Sequence, residues 1–263
     1  MSTKTKENQS LEKYDALSLE RSSGERWVNM KNALTRAGQG LSLSEKRLVM
    51  LAVSKLDSKP KVRIDQLPVT RVTAAEYAEL FDLDIDTAYT QLQTTAKALY
   101  NRSITIFEPA HKRKGKPITQ TRIDMRWVGR CTYHKKEGWV ELAWWHELIG
   151  YLTGIERQFT SYQLSQASAL RSMYSWRLLE LLMRFESTGW AEYTIEDFAT
   201  SMDATPKMRD DFAKIRTKII EPAVLELIQK DGWIIKWTPI KAGRKVAKVR
   251  FEFKRNPQGQ LDL

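Results

Sequence analysis

The sequence predicts an α+β fold class in which one small module occurs twice in tandem. Two stretches share an order of elements: a short apolar helix, a polar turn, a second helix, and β-rich sequence with a basic turn that contains glycine. The first runs from Thr73 to the turn Lys112-Arg-Lys-Gly-Lys116, and the second from Thr194 to Lys241-Ala-Gly-Arg-Lys245. This order predicts two tandem winged-helix domains related by an internal pseudo-repeat, a module whose second helix fits a DNA major groove.

Length and composition agree with two compact domains. The chain has 263 residues, of which 42% are hydrophobic and 10% aromatic, which is enough apolar surface for two cores. We place a mobile N-terminal arm at residues 1–25, the first winged-helix domain at 26–155 and the second at 156–263. The join is expected within residues 150–168, between a short helix and the next strongly amphipathic segment.

The positive charge is concentrated on the two repeated modules. The net charge is +11, which favours a polyanionic partner. Residues 110–136 hold nine Lys/Arg and one acid (+8), and residues 203–255 hold fourteen Lys/Arg and seven acids (+7), so the rest of the chain sums to −4. Segregation of this kind predicts that double-stranded DNA is the partner, because a solvated surface without a partner more often mixes its signs.

Cysteine usage and the N-terminus predict a soluble protein of a reducing cytoplasm. Cys131 is the single cysteine, so neither an intrachain disulfide nor a cysteine-cluster metal site is expected, and its place is that of a small apolar residue in a strand. Residues 1–9 are polar and lack a signal-peptide core, and the sequence contains no apolar run of membrane-spanning length. We therefore expect no membrane association.

Catalytic and cofactor motifs are missing from the sequence. The three histidines, His111, His134 and His146, lack the His-x-His spacing of a metal-dependent DNA-nicking enzyme. The Gly38-Gln-Gly40 segment lacks the lysine of a phosphate-binding loop, and Asp210-Asp211 sits where acids favour a helix start. We therefore predict no enzymatic activity, no cofactor and no metal.

The first module is predicted to begin with two capped helices. Ser42 or Ser44 caps a helix whose inward stripe includes Leu48 and Leu51. Thr73 caps the next helix, which ends at a turn over residues 82–86. A third helix, from Thr87 to about Tyr100, turns four apolar residues inward: Ala88, Leu92, Ala96 and Leu99.

Alternating sequence then predicts strands, followed by a return to helices. The strand segments are residues 104–107, 121–133 and 139–145, with turns at Gly115 and Gly138 between them. A short helix is expected over residues 146–152, and an amphipathic helix over residues 175–185 opens the second module. The strands form the predicted wing region of the first unit, and the short helix leads to the second unit.

The helix expected to read DNA begins near Pro206. At 100° per residue its apolar side collects Phe212, Ile215, Ile219, Ala223 and Leu227. Lys214, Thr217 and Lys218 point to the opposite side, whereas Arg216 lies near the apolar edge, where it either reaches a phosphate or forms an ion pair. Pro222 predicts a kink or a restart of the helix, because proline removes one hydrogen bond.

Candidate DNA-contacting residues are the polar and basic ones on the outer faces of the two second helices and on the two hairpins. In the second module they are Lys207, Arg209, Lys214, Arg216, Thr217, Lys218, Lys241, Arg244 and Lys245. In the first module they are Thr90, Gln91, Thr94, Lys97, Lys112, Arg113 and Lys114.

Several short motifs, in order, resemble the iteron-binding plasmid replication initiators of the F-plasmid type, the theta-type Rep family. They are Leu43-Ser44 with Glu45-Lys46-Arg47-Leu48, Tyr77-Ala-Glu-Leu-Phe81, Arg157-Gln-Phe-Thr160 with Tyr162 and Leu164, and Tyr174-Ser175 with Arg177-Leu178. The likeness spans roughly residues 40 to 255. The family's recognition signature, an apolar residue, a basic triplet and two apolar residues, is matched by residues 215–220, except that Thr217 replaces one basic residue.

The resemblance implies two winged-helix domains that bind direct repeats at an origin as a monomer and help to open adjacent AT-rich DNA. It also implies recruitment of the host initiator DnaA and the replicative helicase. A monomer–dimer equilibrium, with autorepression by the dimer at an inverted repeat, is implied as well. A winged-helix transcriptional regulator without a role in replication remains the alternative, because it would share nearly every physical feature above.

Overall fold

Two winged-helix units follow one another along the chain, which confirms the predicted fold class. The computed structural model describes residues 22–58, 65, 67–108, 121–134 and 137–256. Residues 1–21, most of the predicted arm, lie outside the described residues, whereas Ser23–Glu25 form a 3-10 turn with Ser23 buried. Among the described residues, no helix is long and apolar enough to cross a bilayer.

Helices and strands are interspersed along the described part of the chain. Ahead of the first unit lie β1 (Trp27–Lys31) and α1 (Asn32–Arg36). The first unit consists of α2 (Leu43–Val53), β2 (Val69–Thr73), α3 (Ala74–Phe81), α4 (Ile85–Leu99), β3 (Ser103–Glu108), β4 (Thr121–Arg126), β5 (Val128–His134) and β6 (Trp139–Trp144). Between the units lie α5 (His146–Leu152), β7 (Phe159–Gln163) and α6 (Ser165–Ser168). The second unit consists of α7 (Met173–Met183), β8 (Trp190–Thr194), α8 (Ile195–Ser201), α9 (Pro206–Arg209), α10 (Phe212–Ile215), a π-helical turn (Arg216–Ile220), α11 (Glu221–Asp231), β9 (Trp233–Ala242) and β10 (Lys245–Arg255).

The two units share one sheet topology. In the first, three antiparallel strands lie in the order β2-β6-β5, and in the second the order is β8-β10-β9. In each sheet the last strand of the unit is central, between the strand that precedes the helix–turn–helix and the penultimate strand. The internal pseudo-repeat therefore holds at the level of strand pairing.

This topology corrects one part of the predicted repeat. The hairpin that corresponds to β9–β10 is β5–β6, whose turn contains Gly138 with φ +66. The basic residues 112–116, which lie outside the described residues, instead fall in sequence between β3 and β4, which form a separate two-stranded sheet between α4 and β5. Sequence order alone could not distinguish the two hairpins, because both follow the second helix and both are basic.

Both helix–turn–helix turns have the same backbone form. Asp82 and Asp203 each adopt a left-handed conformation with φ 51 at the end of the first helix. Two residues later the next helix begins, with Asp84 as its N-cap in the first unit and Thr205 in the second. Aspartate tolerates this conformation better than most residues, so the two turns reverse the chain in the same way.

Side-chain caps fix the helix starts that the sequence predicts. Ser42, rather than Ser44, caps α2 in a capping box with Glu45, and Thr73 caps α3 in a capping box with Glu76. Each box satisfies two backbone N–H groups that a helix start leaves without partners. The inward residues predicted for α4 are all buried, and α4 begins two residues earlier than expected because Asp84 accepts a hydrogen bond from the Thr87 N–H.

A short sheet joins the N-terminal segment to the middle of the chain. β1 pairs antiparallel with β7, from Trp27 opposite Gln163 to Lys31 opposite Phe159. This pairing crosses the boundary proposed at residues 155 and 156, which itself stays a prediction. The segment before the first unit therefore pairs with the segment between the units.

Candidate nucleic-acid interface

The predicted reading helix is interrupted near its start. The short α9 ends at Arg209, and a new helix begins at Phe212, where the Asp211 carboxylate accepts a hydrogen bond from the Ala213 N–H at 2.9 Å. The helical path then continues through the π-helical turn into α11, which has Pro222 in its first turn. The prediction of one helix starting at Pro206 is thus corrected to two helices. At the expected restart near Pro222, the hydrogen bonds change from the i→i+5 pattern of a π-helix to the i→i+4 pattern of an α-helix.

One face of this second helix is apolar and buried, and the other is basic and exposed. Ile215, Ile219 and Ile220 are fully buried, as are Ala223 and Leu227 further on. The outer face carries four candidate residues, all exposed: Lys214, Arg216, Thr217 and Lys218. The burial agrees with the predicted apolar and polar sides, and Arg216 forms an ion pair with Glu221, which is one of the two roles expected for it.

The four outer side chains differ in how firmly they are held. Lys214 lies 3.3 Å from the Asp211 carboxylate, and this contact lowers the pKa of Asp211 below its usual value. Arg216 lies 3.5 Å from Glu221, with both side chains about half exposed. The Thr217 hydroxyl donates to the Ala213 carbonyl at 2.8 Å, so it has only acceptor capacity left. Lys218 has no ion pair or hydrogen bond within the described part of the chain, which leaves its ammonium available to a phosphate.

The two basic residues of α9 have unequal surroundings. Lys207 is exposed. The Arg209 guanidinium donates to the Ala204 carbonyl at 2.9 Å and to the Thr200 hydroxyl at 3.0 Å. Arg209 therefore braces the helix–turn–helix turn, and only its remaining N–H groups can reach a partner.

The second hairpin presents its basic residues at the tip. Lys241, Arg244 and Lys245 are all exposed, and the two-residue loop between β9 and β10 begins with Gly243 at φ +62. Loops of this length favour glycine at that position, because a positive φ fits the twist of the strands. The tip is therefore a tight, cationic turn of the kind that contacts a DNA backbone.

Replacing Gly243 by alanine is expected to lower the free energy of unfolding by about 1–2 kcal/mol, because a side chain at positive φ is strained. A matched control is Gly150→Ala in α5, where an added Cβ meets no atom within 4 Å and φ is not positive. That change should raise stability by roughly 0.5–1 kcal/mol. Urea denaturation of both variants checks the pair, and equal signs would contradict the backbone account.

In the first unit the outer face of α4 is polar and only weakly basic. Thr90, Thr94 and Lys97 are exposed, whereas Gln91 is half-buried and its side-chain carbonyl accepts a hydrogen bond from the Tyr77 hydroxyl at 3.3 Å. Lys112, Arg113 and Lys114 lie outside the described residues. The role of all seven first-unit candidates in DNA contact stays a prediction.

The shared sheet order points to a further basic residue that the sequence did not single out. Arg130 is exposed on β5, in the hairpin that corresponds to the second wing. Nearby Arg126 is less free, because it stacks over the Tyr100 ring at 5.3 Å and donates to the Tyr100 carbonyl at 3.0 Å. Arg130 could not be singled out from residue types, because only the strand pairing shows that the β5–β6 hairpin corresponds to the second wing.

Two tandem winged helices, with a basic outer face on the second unit's helix–turn–helix, define this chain as a double winged-helix protein. The chain belongs to the initiator replication protein family. The model of the family's first domain, "Initiator Replication protein, WH1", matches residues 27–183, and that of the second, "Initiator Rep protein, WH2", matches residues 194–253. The first match extends through α7, which we assign to the second unit because it packs against α11 and β8 of that unit.

Individual relatives and solved structures agree with the family match. An uncharacterised 27.6 kDa protein of Escherichia coli is 25% identical over 228 residues, covering 82% of this chain and 91% of the relative. The PI protein of Escherichia coli is 22% identical over 251 residues, covering 86% and 82%. A crystal structure of the Pi initiator protein in complex with iteron DNA superposes with a TM-score of 0.72 at 20% identity, covering 89% of this chain and 99% of the other, which shows a shared fold.

Proposed function

We propose that this protein initiates plasmid replication by binding directly repeated sites, or iterons, in double-stranded DNA at the origin. Family membership supports the proposal, as does the fold shared with an initiator that was crystallised on iteron DNA. The observation that carries it is the exposed basic face of residues 214–218, on α10 and the π-helical turn that follow α9. Lys218, which has no partner within the described residues, is the leading candidate for a phosphate contact on that face.

The two units suit a bipartite site. Successive major-groove faces of one side of a duplex lie about 34 Å apart, so two modules on one chain cover roughly 20 base pairs. One repeat of that length would then be the site of one monomer. In this arrangement the outer face of α4 meets one groove segment and the outer face of residues 214–218 meets the next.

The proposal extends to events after binding. The protein helps to open AT-rich DNA beside the repeats and recruits the host initiator DnaA and the replicative helicase in the bacterial cytoplasm. As a dimer it represses its own gene at an inverted repeat. These steps follow from the resemblance to F-plasmid-type initiators and not from any particular side chain.

Footprinting on the DNA that flanks the gene tests the central claim. Protection of several direct repeats of about 20 base pairs beside an AT-rich stretch is the expected result. Protection of a single palindrome at the promoter, and of nothing else, would instead identify a transcriptional regulator. Strand-opening assays on the same supercoiled DNA then test the proposed melting step.

Removing Lys214 and Lys218 one at a time by alanine substitution should weaken duplex binding and lower the salt slope. Each phosphate that is no longer neutralised reduces the slope of log K against log salt by about one unit. Anisotropy titrations at several salt concentrations measure this. The control is Lys254→Ala, an exposed lysine at the end of β10 far from the hairpin tip. An unchanged slope in Lys218→Ala would contradict its assignment as a phosphate contact.

A further inference from the structure

Three fully buried charged side chains join the first helices of the two units. Lys46 on α2 and both Arg177 and Glu180 on α7 have no exposed side-chain surface. The Lys46 ammonium lies 2.6 Å from one Glu180 carboxylate oxygen, and the Arg177 guanidinium donates to the other at 2.8 Å. The first oxygen also accepts a hydrogen bond from the Tyr162 hydroxyl at 2.9 Å. These groups form one continuous interdomain charge cluster.

The remaining donors of Arg177 hold a segment that we call the strap, residues 35–40. The Arg177 Nη2 group donates to the carbonyls of Thr35 and Ala37, both at 2.8 Å. Its Nε donates to the carbonyl of Ser201, at the end of α8, also at 2.8 Å. One guanidinium therefore ties the strap to the first helix of the second helix–turn–helix.

The other side of the strap is bound to the first unit. Lys46 donates to the Gln39 side-chain carbonyl at 2.7 Å, and the Trp127 indole donates to the Gln39 backbone carbonyl at 3.0 Å. Gly38 exchanges backbone hydrogen bonds with Thr105 at 2.9 and 2.8 Å. The strap is thus fixed between the two units rather than belonging to either.

Asp203 links the strap directly to the second reading motif. One of its carboxylate oxygens accepts from the N–H groups of Gln39, at 3.1 Å, and Gly40, at 3.2 Å. Asp203 is also the left-handed residue of the turn that precedes α9. The same residue therefore sets the direction of the helix–turn–helix and anchors it to the strap.

The physical chemistry of the cluster favours one relative placement of the units. Separating paired charges without water is strongly unfavourable, so gradual sliding of α2 against α7 is opposed. Burial lowers the pKa of Lys46 to about 8, and the neighbouring Glu180 carboxylate opposes that shift. A tightly packed, fully hydrogen-bonded cluster of this kind specifies a geometry more than it adds stability.

We propose that the interdomain charge cluster, together with Asp203 and the strap, is the positioning element that sets the distance and helical phase between the two DNA-contacting helices. This inference rests on the proposed function. It assigns Lys46, Arg177, Glu180 and Asp203 as positioning residues that do not touch DNA. Binding of a bipartite repeat then depends on correct spacing of its halves, because the units do not adjust independently.

The test uses the full chain, a duplex with one protected repeat, and the same duplex with two base pairs inserted at its centre. The insertion rotates the halves by about 70° and separates them by about 7 Å. Asp203→Gly removes the carboxylate while keeping a residue that accepts positive φ. Asp82→Gly is the matched control, since Asp82 holds the same turn position in the first unit and its side chain makes no hydrogen bond within the described part of the chain. Asp203→Asn, which retains an acceptor oxygen, tests for rescue.

For the wild type, the dissociation constant should rise at least about tenfold on the inserted duplex, because only one unit then meets its half of the site in register. In Asp203→Gly binding to the natural duplex weakens, and the ratio between the two duplexes falls at least about threefold, because the looser units tolerate either spacing. Asp82→Gly and Asp203→Asn should keep the wild-type ratio. A uniform loss of stability would weaken both duplexes equally and leave the ratio unchanged.

Each other outcome overturns the inference. If the wild type binds both duplexes equally well, the two units have no fixed spacing. If the ratio of dissociation constants is unchanged in Asp203→Gly, Asp203 is not part of the positioning element. If the ratio falls equally in Asp82→Gly, the effect comes from flexibility of either turn and not from the Asp203 carboxylate. Absence of wild-type binding to any repeat would reject the proposed function together with this inference, whereas intact binding with an unchanged ratio rejects the inference alone.

Discussion

Replacing Glu180 by alanine is expected to lower the free energy of unfolding by about 3–5 kcal/mol, the largest single-site effect on stability that we predict. The change leaves the ammonium of Lys46 and the guanidinium of Arg177 buried without their shared counter-ion, since both side chains are fully buried. Urea denaturation followed by circular dichroism measures the loss. A variant too unstable to purify is scored by soluble yield at reduced temperature.

A surface pair provides the matched control for this experiment. Glu192 lies 2.8 Å from Lys248, the same kind of contact as in the cluster, but the two side chains are 25% and 48% exposed. Glu192→Ala should therefore cost less than about 1 kcal/mol. Adding Lys46→Met to Glu180→Ala should recover part of the stability, because one of the two stranded charges is removed. A cost for Glu180→Ala as small as that of the surface control would show that water reaches the cluster.

Reversing the charge at Lys214 and Lys218 together should weaken binding to the repeat at least about a hundredfold, the largest functional effect that we predict. Glutamates at these positions place like charges against phosphates, which costs several kcal/mol. Both side chains are exposed, so the thermal unfolding midpoint should change little. Anisotropy titration at one fixed salt concentration compares the variant with the wild type.

Removing a negative charge near this basic face should strengthen DNA binding. Asp210 is exposed, and Asp210→Asn removes a negative charge two residues before α10 begins. Its neighbour Asp211 is left intact because it caps that helix. Binding should tighten severalfold at low salt, and the gain should shrink as salt rises. Loss of affinity on charge reversal without a gain in Asp210→Asn would indicate that the reversal acts by disturbing the helix.

Much of the fold was predictable because it depends on local patterns. Thr73 was identified as a cap from residue type and position alone, and Ser42 as one of two alternatives; in both cases a glutamate three residues on completes a capping box. The buried faces of α4 and of residues 212–227 were likewise predictable, because a period near 3.6 residues brings their apolar side chains onto one side. Exposure of Lys214, Thr217 and Lys218 followed from the same geometry.

The remaining features depend on contacts between distant parts of the chain. Pairing of β1 with β7 joins segments more than a hundred residues apart, and no local pattern encodes it. The correct counterpart of the second wing appeared only from strand order. Lys46, Arg177 and Glu180 were visible as family motif residues or as parts of amphipathic helices. Their meeting in one buried cluster required the two helices to be placed against each other.

The π-helical turn at Arg216–Ile220 has a consequence for how the chain tolerates length changes. Each i→i+5 hydrogen bond encloses one residue more than an α-helical bond, and across this turn the buried side chains recur every four residues, at Ile215, Ile219 and Ala223. Arg216, the first residue of this turn, is exposed. Deleting a single residue here would let the backbone relax to regular helix, yet would rotate Ala223 and Leu227 away from their core. The positions of the core residues on α11 therefore depend on the exact number of residues in this turn.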